Sequence, residues 1–157
     1  MKKLLLLICL VASFAAAGAA LAGPPLPERF DPRRDAAADV AAALALAGAQ
    51  HKRVIVDVGG EWCSWCHLLD AFVASHPPVR DLLERHYVWV KVNWSPENRN
   101  EQLLARWPRV KGYPHLFVLD ADGQLLHSQS TGELEAGRGY DEAKFLALLR
   151  RFSNGRS

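Results

Sequence analysis

Apolar and polar residues follow one another along this chain in blocks whose lengths and spacings predict helices and strands in turn. Residues 35–48, DAAADVAAALALAG, read as an Ala-rich helix, with Asp35 placed to cap it and Gly48 to stop it. Residues 53–58, RVIVDV, are a β-branched run that reads as a buried strand interrupted by one acid, Asp57. Gly59 and Gly60 end it. From residue 63 to 75, apolar side chains at Cys66, Leu69, Phe72 and Val73 have helical spacing, and His76-Pro77-Pro78 closes that helix. A short helix over 79–86 and a strand over 87–93 come next. Residues 94–100 form a loop, 101–107 a helix, 115–120 a strand, 120–123 (DADG) a hairpin turn and 124–129 the returning strand. Residues 130–139 read as loop and 140–152 as an amphipathic helix. This order predicts an α/β domain with a central mixed β-sheet flanked by helices on both faces.

The start of the chain is of a different kind. Lys2 and Lys3 precede an apolar run from Leu4 to about Phe14, small residues lead to Ala20-Leu21-Ala22, and Gly23-Pro24-Pro25 follows. That is the pattern of a secretory signal peptide over residues 1–22, cleaved near Ala22. An uncleaved anchor is the competing reading, but the strongly apolar part is short for a span of ~20 residues. A lipoprotein signal at Cys9 is discounted because that cysteine sits inside the apolar run. The expected product is secreted or periplasmic, with no stable membrane insertion. It has an irregular Pro- and Arg-rich arm over 23–34 and one folded domain over 35–157.

Cleavage changes the chemistry available. The chain of 157 residues has three cysteines, one methionine and a formal charge of +2. Losing Lys2 and Lys3 brings the charge to about zero, which removes the basic bias that nucleic-acid binding usually needs. Losing Met1 leaves no methionine, and losing Cys9 leaves only Cys63 and Cys66. These two close too small a loop to act as a structural staple by chain entropy. In an oxidising compartment, a pair at this spacing points to cysteines kept for their reactivity.

The stretch EWCSWCH, residues 61–67, admits two readings. Cys63, Cys66 and His67 spell the C-x-x-C-H tag of a c-type haem, whereas the two cysteines alone spell a redox dithiol. Haem would need a cavity and usually a second axial ligand, which without methionine would be another histidine. A metal-binding role for Cys63, Cys66 and His67 is a third reading, although a closed structural zinc site wants four ligands.

VDVGGEWCSWCH resembles the active-site signature of the thioredoxin-like superfamily, and KGYPHLFVLDADGQLL resembles its second element, a cis-proline loop followed by a hairpin with an acidic-Gly turn. The resemblance runs from about residue 54 to 152 and is nearest to exported members with a W-C-x-x-C centre. It implies a thioredoxin fold and a thiol–disulfide oxidoreductase acting on protein or peptide thiols and disulfides. No bound cofactor and no metal are implied, because the Cys63–Cys66 dithiol itself carries the electrons. An unidentified electron donor or acceptor completes the cycle, and no dimerisation segment argues against a monomer.

By the same resemblance, Cys63 is the attacking thiolate at a helix mouth, and Cys66, one turn in and more buried, resolves the mixed disulfide. Asp57 is either an ordinary strand acid or the buried, unpaired carboxylate that takes the Cys66 proton, with burial raising its pKa. Pro114 is either a plain turn proline or the cis-proline that leaves the Tyr113 backbone free for an extended substrate. Trp62 is divided between core packing and substrate contact, whereas Trp65 is expected on an exposed apolar rim. His67 is a solvated helix residue or a stabiliser of the Cys63 thiolate. Lys91 is a solvated strand-end lysine or the family's lysine beside the buried acid.

Three departures leave the direction of electron flow open. The dipeptide between the cysteines is Ser64-Trp65, the active-site helix has no internal proline, and the segment from Lys91 to Pro114 is a few residues longer than in thioredoxin, which makes the loop 94–100 specific to this subgroup. Reduction of disulfides is the expected direction, with oxidation or isomerisation as the alternative.

Overall fold

A computed structural model describes residues 25–153; the expected signal peptide lies outside the described residues. Residues 25–34 contain neither helix nor strand. Helix α1, Ala36–Gln50, begins where expected: the Asp35 carboxylate accepts from the amides of Ala37 and Ala38, satisfying donors that a helix start leaves open. Gly48 does not stop it. His51 does, in the left-handed conformation (φ 55°), with its amide on the carbonyls of Ala47 and Gly48.

Strand β1, Arg53–Gly59, is buried at every position after Arg53, as a central strand with both faces covered should be. Helix α2, Ser64–Ser75, breaks at His76, and α3, Pro77–His86, restarts at once with proline at its first position. Strand β2, Tyr87–Asn93, follows. Helix α4 is confined to Glu101–Leu104, shorter than the 101–107 expected. Pro108 disfavours helical backbone at Trp107, whose ring instead packs on Phe117 with centroids 4.9 Å apart.

Strands β3, His115–Leu119, and β4, Leu125–Ser130, form the expected hairpin. Its turn is held by Asp120, whose Oδ1 accepts from the amides of Asp122 and Gln124, and by Gly123 at φ 82°. The segment expected as plain loop over 130–139 contains a 3₁₀ turn, Thr131–Leu134, and most of a second small hairpin, β5 Glu135–Ala136 with β6 Gly139–Tyr140. Helix α5, Glu142–Phe152, therefore starts later than expected, capped by Asp141.

The main sheet has the order β2-β1-β3-β4, with β1 parallel to β2 and antiparallel to β3. Side chains alternate between its two faces. Val54, Val56 and Val58 join Val88, Val90 and Val92 against α1, and Leu103 of α4 belongs to the same cluster. Ile55, Leu116 and Val118 face α2, α3 and α5 through Leu69, Phe72, Leu83 and Phe145. Asp57 shares the parity of Ile55, so it points into the α2 side. The parallel register sets it directly beside Lys91 of β2. Among the described residues no helix is long and apolar enough to cross a membrane.

Candidate redox site

The chain leaves β1 through Gly59 and Gly60 and turns into α2, with the Cys63 amide on the Gly60 carbonyl at 3.0 Å. That turn delivers Cys63 to the N-cap of α2, where its Sγ accepts from the Cys66 amide at 3.1 Å. A helix start carries free amides and the positive end of the dipole, an environment that favours thiolate over thiol. Cys63 and Cys66 are joined as a disulfide with Cα atoms 5.2 Å apart. The expected contrast in exposure between them is small: Cys63 is 4 % exposed and Cys66 1 %.

On the α2 side of the sheet lies a charged trio. Lys91 Nζ donates to Asp57 Oδ2 at 3.0 Å and to Asp70 Oδ1 at 2.6 Å, and Trp89 Nε1 donates to Asp57 Oδ2 at 3.3 Å. The Asp57 carboxylate is therefore paired, not unpaired as its sequence context suggests. Its other oxygen, Oδ1, is buried and has no hydrogen-bond partner among the described residues. Burial pushes the Asp57 carboxyl above the usual carboxylate range, and the Lys91 ammonium opposes the shift without cancelling it. Burial also acts against the Lys91 charge, but the charges of Asp57 and Asp70 outweigh it and hold its pKa above the ordinary value. Lys91 is a buried residue, which the reading as a solvated strand-end lysine does not accommodate.

Trp65 departs from the exposed position expected of it, and Trp62 takes the exposed of its two expected places. Trp62 is the exposed one, at 54 %. Its Nε1 donates to the Trp94 carbonyl at 2.8 Å, and its ring meets Tyr113 edge-on at 5.5 Å. Trp94 and Tyr113 stack at 4.9 Å, so three aromatic rings form a rim. Trp65 is half-buried: Tyr140 of β6 meets it edge-on at 5.6 Å and donates to its carbonyl. The sequence reads 130–139 as loop and starts the last helix at Tyr140, so the hairpin that sets Tyr140 against Trp65 is not foreseen. The Tyr113–Pro114 peptide bond is cis, and the Pro114 carbonyl accepts from Thr131 Oγ1 at 2.6 Å. His67 is exposed, with its Nε2 2.8 Å from the Glu61 carbonyl oxygen.

The structure therefore brings Cys63, Cys66 and Tyr113 into one cluster and ties Lys91 to Asp57. Sequence reasoning missed Asp70, Trp94, Glu61 and Phe30. Asp70 carried a usable signal, since it lies one helical turn after Cys66 and so on the same face of α2. The Phe30 amide donates to Glu61 Oε1 at 2.9 Å, and its ring, 2 % exposed, lies against both cysteines.

Residues 35–121 match a family model described as thioredoxin-like, and the chain belongs to that family. Over 107 residues it is 29 % identical to the thiol:disulfide interchange protein DsbD of Tatumella citrea; the match covers 68 % of this chain but only 17 % of that one. A disulfide bond reductase, DsbH of Chlamydia pneumoniae, is 27 % identical over 76 residues, which is 43 % of this chain and 45 % of the relative. Among solved structures, a disulphide isomerase from Xylella fastidiosa Temecula1 superimposes with a TM-score of 0.67 at 26 % identity, covering 82 % of this chain and 98 % of that one. The chain thus spans less than a fifth of the DsbD relative and under half of the DsbH relative.

Proposed function

We propose that this chain is an exported thiol–disulfide oxidoreductase that reduces protein or peptide disulfides through Cys63 and Cys66. The observation that carries the reading is the disulfide at the mouth of α2, with a buried carboxylate oxygen at Asp57 that has no partner among the described residues. In the reduced protein, the Cys63 thiolate attacks one sulfur of a substrate disulfide. The substrate S–S bond breaks, one substrate thiolate leaves and takes a proton, and a mixed disulfide remains. Cys66 then gives its proton to Asp57 and attacks the Cys63 sulfur. The Cys63–Cys66 bond forms, the second substrate sulfur leaves as thiolate, and the proton on Asp57 passes to it or to water. Two thiols are consumed and two are produced, so electrons balance.

Trp62, Tyr113 and Pro114 form the proposed docking rim for an extended substrate strand, with Trp94 added to it. Trp65, turned toward Tyr140, serves more as a wall than as a contact. Lys91 tunes Asp57, and His67 braces the turn at Glu61. The disulfide itself is the redox group, and the protein acts as a monomer in the periplasm or outside the cell. Reduction is the favoured direction, in line with the relative named a disulfide bond reductase. The structural likeness to a protein named a disulphide isomerase keeps isomerisation as the second reading.

The reduction potential of the pair separates these directions: a value of about −270 mV belongs to a reductant, and one of about −180 mV or above to an isomerase or oxidase. Independently, Cys63→Ser should abolish disulfide reduction. Purified protein should be colourless, and a Soret band from covalent haem would overturn the reading.

A further inference from the structure

The N-terminal arm packs Phe30 against the cysteines, and its Glu28 lines an open cavity with Lys91 and Asp70. Phe30 is 2 % exposed, yet it belongs to neither of the two large core clusters. It forms a third cluster with Cys63 and Cys66, to which Trp65 and Tyr113 add partly buried rings. Its ring centroid lies 4.3 Å from the Lys91 ammonium. Gly59 leaves room for it. A Cβ at that position would lie 2.5 Å from Cys66 Sγ and 2.9 Å from Phe30 Cζ, closer than packed atoms tolerate. The glycine that ends β1 thus clears space that an aromatic ring from outside the strand fills.

The arm is fastened where this matters. Glu61, beside the cysteine motif, holds the Phe30 amide through its carboxylate. Asn98 Nδ2 donates to the Pro32 carbonyl at 2.9 Å, and Arg34 forms an ion pair with Asp39 of α1. Neither Glu61 nor Phe30 has a place in the exchange chemistry, so their contact calls for a separate account.

We propose that Phe30 is a positioning residue of the redox site, clamped by Glu61, whose ring keeps water from Cys66 so that Cys66 delivers its proton to Asp57 and not to solvent. The inference rests on the exchange reading for its consequence. Its geometric content, a ring that shields one thiol, can be tested without any substrate. A ring there also adds apolar contact to a charged lysine stem, but general core filling predicts lost stability and nothing particular to Cys66.

The test is alkylation of the reduced full-length protein in a Cys63→Ser background, with Cys66 labelling followed by peptide mass mapping and folding checked by thermal melting. Replacing Phe30 with alanine should speed Cys66 labelling on the order of tenfold or more, because access controls the rate at a buried thiol. Phe30→Leu should restore slow labelling to within about threefold of the parent, since a bulky apolar side chain still fills the space. Glu61→Ala, which leaves the ring but frees the arm, should give an intermediate rate. Should Phe30→Ala fail to fold, Glu61→Ala decides: faster labelling supports the clamp, and an unchanged rate overturns it. The inference also falls if folded Phe30→Ala labels at the parental rate, or if Phe30→Leu labels as fast as Phe30→Ala. Failure here leaves the exchange reading standing, and failure of the exchange reading leaves these rates interpretable.

Discussion

The two faces of β1 are built from the same seven residues and do different work. Toward α1 the strand presents Val54, Val56 and Val58, all fully buried among other valines, alanines and Phe117. Toward α2 it presents Ile55, then Asp57, then Gly59, so apolar packing gives way to a buried charge and then to bare backbone against a sulfur. Burial stabilises the first face, and burial of Asp57 opposes stability on the second. The contrast runs along the strand as well as across it, since the chemistry lies at the end where β1 turns into α2. A scaffold of this kind concentrates its unfavourable terms in one place and holds them there with the apolar face behind.

The largest effect should come from breaking the apolar face. Phe117→Ala, at a fully buried ring against α1, should cost about 3–5 kcal/mol of unfolding free energy in a chemical denaturation experiment. The fraction that stays folded should still exchange disulfides at the parental rate. Loss of exchange per folded molecule would mean that the two faces are not separable.

Asp57→Asn should show the opposite profile. Lys91 keeps Asp70 as a partner, so stability should change by only about 1 kcal/mol, the scale of one hydrogen bond. Resolution of the mixed disulfide should slow about a hundredfold, at the low end of general-base effects. The deficit should shrink as pH rises and Cys66 ionises unaided. Full activity across the pH range would assign Asp57 a purely structural part.

The same residue predicts a pH dependence of stability. Its folded pKa lies above its unfolded value, because burial outweighs Lys91. The stability contributed by the protonated form is complete below the ordinary carboxylate pKa of about 4 and is lost as pH climbs through the raised folded pKa. The oxidised protein should therefore weaken with rising pH in that window, by at most about 1.4 kcal/mol per pH unit for one proton. Asp57→Asn should flatten that part of the curve, and an unchanged slope would place the titration elsewhere.

The smallest effect concerns the rim. Trp62→Ala should leave the melting temperature nearly unchanged, since the ring is more than half exposed. It should raise KM for a protein disulfide about fivefold, the scale of a single interface residue, without changing reaction with a small uncharged disulfide. Equal losses on both substrates would show that the ring supports the cysteines and not the partner.

These two faces also differ in how plainly the chain announces them. The valine runs of β1 and β2, the 120–123 turn and the Asp35 cap are local patterns, and they were legible as such. The helix over 101–107 was overread because its apolar spacing is helical while Pro108 acts one residue beyond it. Strands of two residues, as in β5 and β6, are too short to carry a period, so the hairpin that turns Tyr140 over Trp65 left no trace. At the site, Cys63, Cys66 and Asp57 were found through a compact motif. The family resemblance offers Lys91 as a lysine near Asp57, and the strand register makes the two direct neighbours. Phe30 was invisible because one aromatic residue in a Pro- and Arg-rich arm has no local pattern, and its meaning lies in the space that Gly59 leaves.

The central claim is that Cys63 attacks and Cys66 resolves, and the most direct measurement is covalent trapping. Reduced Cys66→Ser protein should accumulate mixed disulfides with protein substrates on non-reducing gels, released by dithiothreitol and absent from Cys63→Ser, because attack survives and resolution does not. If Cys66→Ser traps nothing while Cys63→Ser does, or if neither forms an adduct with a disulfide-containing protein, the assignment of the two cysteines is contradicted.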